Sequence, residues 1–160
     1  EVVIVEDSNS GYDFYRALCE KSGIRCVSAE GKSNIYSMIR ESSENDILVI
    51  ADGAAFGPEM AYVTTLARFK NVRLFLPESF EWLVLNSSPF HDARTRDILL
   101  NPADYIESAD FFSWEQFFTK ELVEVTADTY LAYRKKSLNT AYLQPKEMAA
   151  LKKALPDLGL

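Results

Sequence analysis

The chain has 160 residues, 48% of them apolar, 26% charged and 12% aromatic, which supplies one soluble globular domain with a sizeable core and excludes disordered, collagenous or low-complexity chains. The net charge of -7 argues against a protein that grips nucleic acid over its whole surface, because phosphate neutralisation dominates such affinity. No apolar run approaches the ~18 residues of a membrane span and no secretory leader is legible, so a cytoplasmic protein without membrane partners is expected.

Val2 to Val5 is an all-β-branched run, followed by Glu6 and Asp7 and then by Ser8, Asn9, Ser10 and Gly11, which carry turn and cap chemistry. A buried strand feeding a helix is predicted, and a strand this close to Glu1, with no initiator Met, suggests a piece of a longer protein. The helix is expected over Tyr12 to Lys21, with Phe14, Tyr15, Leu18 and Cys19 on one face and Ser22-Gly23 as its stop. Cys19 and Cys26 lack the spacing of zinc or redox pairs and read as small hydrophobes in a reduced compartment. Ile24 to Ser28 is a second strand, and Gly31-Lys32-Ser33 turns into a helix over Asn34 to Glu41. Asp46 to Ala51, with four contiguous apolar residues from Ile47 to Ile50, is a third strand buried on both faces. It ends at Asp52-Gly53.

Gly57-Pro58 reads as a helix start with Met60, Val63, Thr64 and Ala67 as its inner stripe, and Val72 to Leu76 as a fourth strand. Residues 78 to 86 and 92 to 100 suggest short helices, and Asp104 to Glu107 a short fifth strand. Ser113 with Gln116 has the capping-box pattern, opening a helix through Trp114, Phe117, Phe118 and Leu122 as far as Tyr133. Pro145 starts a last amphipathic helix through Leu155. Residues 129 to 160 carry a net charge of +4, which leaves the first 128 at -11; their ordinary reading is a solvated basic face. Strands alternating with helices predict an α/β fold: a doubly wound, mainly parallel sheet of four to five strands, helices on both faces, and helical C-terminal additions. Residues 1 to 108 form the α/β unit, and 109 to 160 an extension packed on it.

Ligands of such sheets bind outside the carboxyl ends of the strands. Glu6 and Asp7 follow the first strand, Glu30 and Lys32 the second, Asp52 the third, and Glu78, Ser79 and Glu81 the fourth. Carboxylates that converge repel one another unless a cation lies between them, so Mg²⁺ or Mn²⁺ is expected there. The bland alternative is that Glu6, Asp7 and Asp52 only cap helices and accept loop amides. His91, the single histidine, lies in a loop and reads as a helix-starting residue. The Gly31-Lys32-Ser33 triplet is not a P-loop, since position 26 is Cys where that motif needs glycine. Tyr130, Tyr133 and Tyr142, interleaved with Arg134, Lys135 and Lys136, are candidates for contact with nucleic acid or a partner, whereas the aromatics from Phe111 to Phe118 read as core.

VVIVE ending at Glu6, SAEGKSNI around Lys32, and Asp52 after the third strand together resemble the Toprim domain of topoisomerases, primases and overcoming-lysogenization-defect nucleases. In that family a Glu closes the first strand and an Asp-x-Asp pair the third; here the second Asp is replaced by Ala54. LPESFEWLVL, with Glu78 and Glu81, resembles the short Glu-bearing helix after strand four in Toprim-like proteins of defence and mobile-element systems. The resemblance implies a Mg²⁺ or Mn²⁺ site held by Glu6, Asp7, Asp52 and Glu59, with Glu6 as ligand or general base, and Lys32, Glu78 and Glu81 as substrate contacts. It implies phosphodiester cleavage or transfer on nucleic acid, or, given Ala54, a noncatalytic module working with an ATPase partner. VVIVEDSNSG with Asp52 also resembles the receiver domain of two-component signalling, which would make Asp52 a phosphoacceptor. That family needs a Lys after strand five, where Glu107-Ser108 stand.

Overall fold

The computed structural model describes residues 1–87, 90, 93–104 and 114–160, without the side chains at 54, 55 and 104. Four parallel strands form one sheet in the order β2-β1-β3-β4: β1 (Val2–Val5), β2 (Arg25–Ser28), β3 (Asp46–Ile50) and β4 (Asn71–Phe75). Helix α1 (Ser10–Ser22) connects β1 to β2, α2 (Ile35–Glu41) connects β2 to β3, and α3 (Gly53–Leu66) connects β3 to β4. The expected doubly wound α/β architecture is therefore present. Beyond β4 come α4 (Phe80–Leu85), α5 (Ala93–Leu100), α6 (Trp114–Thr126) and α7 (Pro145–Ala154).

The contiguous apolar runs of β1 and β3 place successive residues on opposite faces of the sheet, and both faces are covered. Val3, Val5, Leu48 and Ile50 face a large core shared with Phe14 and Leu18 of α1, Phe80 and Val84 of α4, Phe117 and Leu122 of α6, and Met148 and Leu151 of α7. Val2, Ile4, Ile47 and Val49 face a smaller one with Ile35 and Ile39 of α2 and Phe56 and Val63 of α3. Right-handed crossovers that step one way across the sheet from β1 to β2 and the other way from β2 to β3 and β3 to β4 require this division of α1 from α2 and α3. Cys19 and Cys26 are free, and the turn at Gly23 ends α1 at φ +68°.

Some boundaries differ from the sequence expectation. Helix α3 begins at Gly53 instead of Gly57, which puts Pro58 inside it. An interior proline costs about 3 kcal/mol. The earlier start offsets this by burying Phe56 completely, while the Gly53 amide donates to the Pro77 carbonyl at 2.7 Å. The inner stripe of α3 is Phe56, Met60, Val63 and Leu66, whereas Thr64 and Ala67 are exposed. Helix α6 stops at Thr126, well short of Tyr133. The Thr126 hydroxyl donates to the Leu122 carbonyl at 2.6 Å and accepts from the Tyr133 amide at 2.9 Å, and Asp128 turns the chain back at φ +60°. Asp104 closes a short 3-10 turn, Pro102–Asp104; residues 105–107 of the expected fifth strand, His91, Phe111, Phe112 and Ser113 lie outside the described residues.

Candidate functional site at the switch point of the sheet

The chain leaves β1 for β2 on one side and returns to β3 on the other, so the strand order reverses between β1 and β3. Connections departing to opposite faces open a crevice there, at the carboxyl ends of the two strands. A cavity of about 70 Å³ occupies this place, lined by Glu6 and Asp7 after β1, Asp52 after β3, Gly11 and Tyr15 of α1, Phe80 of α4 and Glu115 of α6. Three of the expected metal ligands thus line one cavity.

Each carboxylate is fixed differently. Glu6 Oε2 accepts from the Asp52 amide at 2.9 Å, which ties the ends of the two strands together. Burial pushes the Glu6 carboxyl above the ordinary range, against that amide and the nearby charge of Lys32. Asp7 Oδ1 accepts from the amides of Asn9 and Tyr12 at 3.1 and 3.2 Å and so closes the entry into α1; burial again raises its pKa. The turn after β2 is tied to the same point, with Ser28 Oγ donating to the Asp7 carbonyl at 2.6 Å and the Gly31 amide donating to that of Glu6 at 2.8 Å. Gly31 adopts φ +132°, which a side chain would strain. Asp52 stands at the N-cap of α3 without making a capping bond through its side chain. Burial, then the charges of Glu115, Glu6 and Glu81, push it up to about 8.

Tyr15 lines this cavity, and its hydroxyl is buried without a hydrogen-bond partner. Burial, then the charges of Asp52 and Asp7, raise its pKa. Behind the cavity Glu81, only 1% exposed, accepts through Oε1 from Tyr133 Oη at 2.8 Å and from Lys135 Nζ at 2.9 Å, while its Oε2 is buried without a partner. Lys135 also pairs with Glu115. Burial pulls the Lys135 ammonium down, and Glu81 and Glu115 more than reverse it.

Other expected site residues are placed elsewhere or otherwise. Glu59, half-buried on α3, does not line the cavity. Glu78 is exposed, and Glu81 is committed to Tyr133 and Lys135. Lys32 lies in a 3-10 turn where its charge acts on Glu6. Tyr133 and Tyr142 are core residues, contrary to the reading of an exposed aromatic and basic surface; of the three tyrosines only Tyr130 is exposed. Tyr15 and Glu115 also line the cavity, and Lys135 pairs with Glu115. In the sequence Tyr15 reads as helix core, Glu115 carries no signal, and Lys135 reads as one of three consecutive basic residues in a candidate contact surface.

Among the described residues no three or more Asp, Glu, His or Cys side chains converge closely enough to enclose a metal ion. The donor chemistry nevertheless fits Mg²⁺, which takes hard oxygen ligands, keeps several waters and is usually held by one or two carboxylates with substrate phosphates. Among the described residues no helix is long and apolar enough to cross a membrane. Comparison with protein-family models, curated proteins and solved structures finds no match.

Proposed function

We propose that this chain is a Toprim-like domain that binds Mg²⁺ or Mn²⁺ at the switch point of its sheet and acts on phosphodiesters of nucleic acid. The observation that carries the reading is the charge of the cleft. Glu6, Asp7, Asp52 and Glu115 line one cavity with no Lys or Arg among its described lining residues, and burial together with the neighbouring carboxylates pushes Asp52 up to about 8. A divalent cation relieves that excess of negative charge and draws the proton from Asp52. Asp52 is the principal ligand in this reading, with Glu6 or Asp7 beside it. A bound cation would orient a scissile phosphate and stabilise charge developing on its oxygens. Glu6, if not a ligand, would act as the general base that accepts a proton from an attacking water.

The test is a calorimetric titration of the chain with Mg²⁺ and Mn²⁺, repeated on Glu6→Gln and Asp52→Asn, followed by a plasmid-nicking assay. Saturable binding lost in both variants, with nicking that needs metal and Asp52, is the expected result. Absence of binding up to about 10 mM, a weak limit for a carboxylate site, overturns the reading.

A noncatalytic module with an ATPase partner is the second reading, favoured by Ala54 and by the neutralisation that Lys135 already supplies. It predicts cation binding without nicking. The receiver alternative predicts an acid-labile adduct on Asp52 after treatment with acetyl phosphate and Mg²⁺. The Ser79 hydroxyl, which that chemistry would require, is buried and accepts from the Trp82 amide at 3.0 Å as the cap of α4.

A further inference from the structure

We infer that Arg134 and Lys136 form a strand-holding rim beside the switch-point cleft, contacting backbone phosphates of the nucleic acid that enters it. This inference rests on the phosphodiester reading above and extends it from the scissile group to the strand that carries it. The fold divides the run Arg134-Lys135-Lys136. Lys135 is committed to Glu81 and Glu115. Arg134 and Lys136 are exposed, and among the described residues neither side chain forms an ion pair or a hydrogen bond. The main chain that carries them is fixed to the wall of the cleft. The Ser10 hydroxyl donates to the Arg134 carbonyl, the Ser10 amide to the Lys135 carbonyl at 2.9 Å, and the Leu138 amide to Asp13 Oδ2 at 3.0 Å. Ser10 immediately precedes Gly11, and Gly11 lines the cavity together with Glu115, the partner of Lys135. Two free cations are thus held on either side of a lysine anchored at the cavity.

A polyanion approaching a cavity lined by carboxylates is repelled unless cations meet it at the edge. Arg134 and Lys136 do so without giving up an existing pair, and the guanidinium fork of Arg134 matches the geometry of a phosphate. The rings of Tyr133 and Tyr142 are buried and cannot stack on bases. The contact is therefore made to phosphates, which fix a strand in place but carry no sequence information. Both cations are exposed, so removing either charge leaves the core intact.

The experiment follows the anisotropy of fluorescein-labelled single-stranded DNA bound to the full chain across a salt series, in EDTA and in Mg²⁺. Wild type is compared with Arg134→Gln, Lys136→Gln, the double variant and Lys153→Gln. Lys153 is the control, in the last turn of α7. Its neighbour Lys152 shares a cavity with Leu158, whose carbonyl accepts from the Arg73 that pairs with Glu1, at the opposite edge of the sheet. Each single change is expected to lower the slope of log affinity against log salt by about 0.7, and the double variant to weaken binding about tenfold or more at low salt, with Lys153→Gln within about twofold of wild type. The loss should be the same in EDTA and in Mg²⁺, and for strands of different sequence. If the double variant binds like wild type while metal-dependent nicking persists, the rim fails and the phosphodiester reading stands. If binding is lost in the double variant but no metal supports nicking by wild type, the phosphodiester reading fails and the rim stands as a binding surface. Equal weakening by Lys153→Gln, or displacement of the DNA by poly-glutamate at equal charge, overturns the rim, since general charge then explains the effect. Absence of binding by wild type at low salt also overturns it.

Discussion

Asp52 is the cleft carboxylate whose pKa is pushed up to about 8, and its titration leads to a stability prediction. Below about pH 4 it is protonated in both folded and unfolded chains and contributes nothing to the balance. As pH rises, the unfolded chain ionises it freely while the folded one keeps the proton to about 8. Stability therefore falls across that window and levels off above it. Urea unfolding should show a loss on the order of 3 kcal/mol between pH 5 and pH 9, reduced in Asp52→Asn and reduced by Mg²⁺ in the wild type. Lys135 and Lys136 give a second test, because they are neighbours in one basic run with opposite fates. Lys135 compensates the buried carboxylate of Glu81, and Lys136 is exposed. Lys135→Met should cost about 3–5 kcal/mol in chemical unfolding and Lys136→Met less than about 0.5.

Elements meet at the cleft through close backbone approaches. The start of α3 is pinned under the turn after β4, where a Cβ at Gly53 would stand 2.8 Å from the Leu76 carbonyl oxygen. Gly53→Ala should thus cost about 1–3 kcal/mol by thermal melting, although alanine is the better helix former. Because Asp52 precedes this contact directly, the same substitution should also weaken cation binding. The Thr126 hydroxyl joins α6 to the returning chain by two hydrogen bonds. Thr126→Val keeps the volume and removes both, leaving the buried Tyr133 amide without its acceptor. A loss of about 1–3 kcal/mol is expected, read by urea unfolding.

At the scale of the whole molecule, the C-terminal segment is built into the face of the sheet that carries the site. The Ser10 amide donates to the Lys135 carbonyl at 2.9 Å, the Leu138 amide to Asp13 Oδ2 at 3.0 Å, and the Tyr142 hydroxyl to the Leu131 carbonyl at 2.6 Å. Phe117, Leu122, Tyr133, Tyr142 and Leu151 share one core with Val3, Phe14 and Leu48. Residues 1–108 alone would expose that face and leave Glu81 without Tyr133 and Lys135. The full chain should melt in one cooperative transition by calorimetry, and the 1–108 fragment should show none.

Much of this molecule was legible in its sequence. The contiguous β-branched runs at Val2–Val5 and Ile47–Ile50, punctuated by Asp and Gly, specify buried parallel strands because no other local structure buries so many consecutive side chains on two faces. The convergence of Glu6, Asp7 and Asp52 follows from that alternation, since chain direction alone puts them at one edge. Tertiary structure decided what the local pattern could not. Glu59, about two turns along α3 from Asp52, falls outside the cavity, while Glu115 lines it from distant sequence and Lys135 pairs with Glu115. Their positions depend on how α6 and the chain after it pack on the sheet, and a charge on a helix surface carries no local signal of what it will face. Tyr133 and Tyr142 were hidden for the same reason: polar neighbours in sequence marked them as surface, but the turn at Asp128 folds their rings into the core.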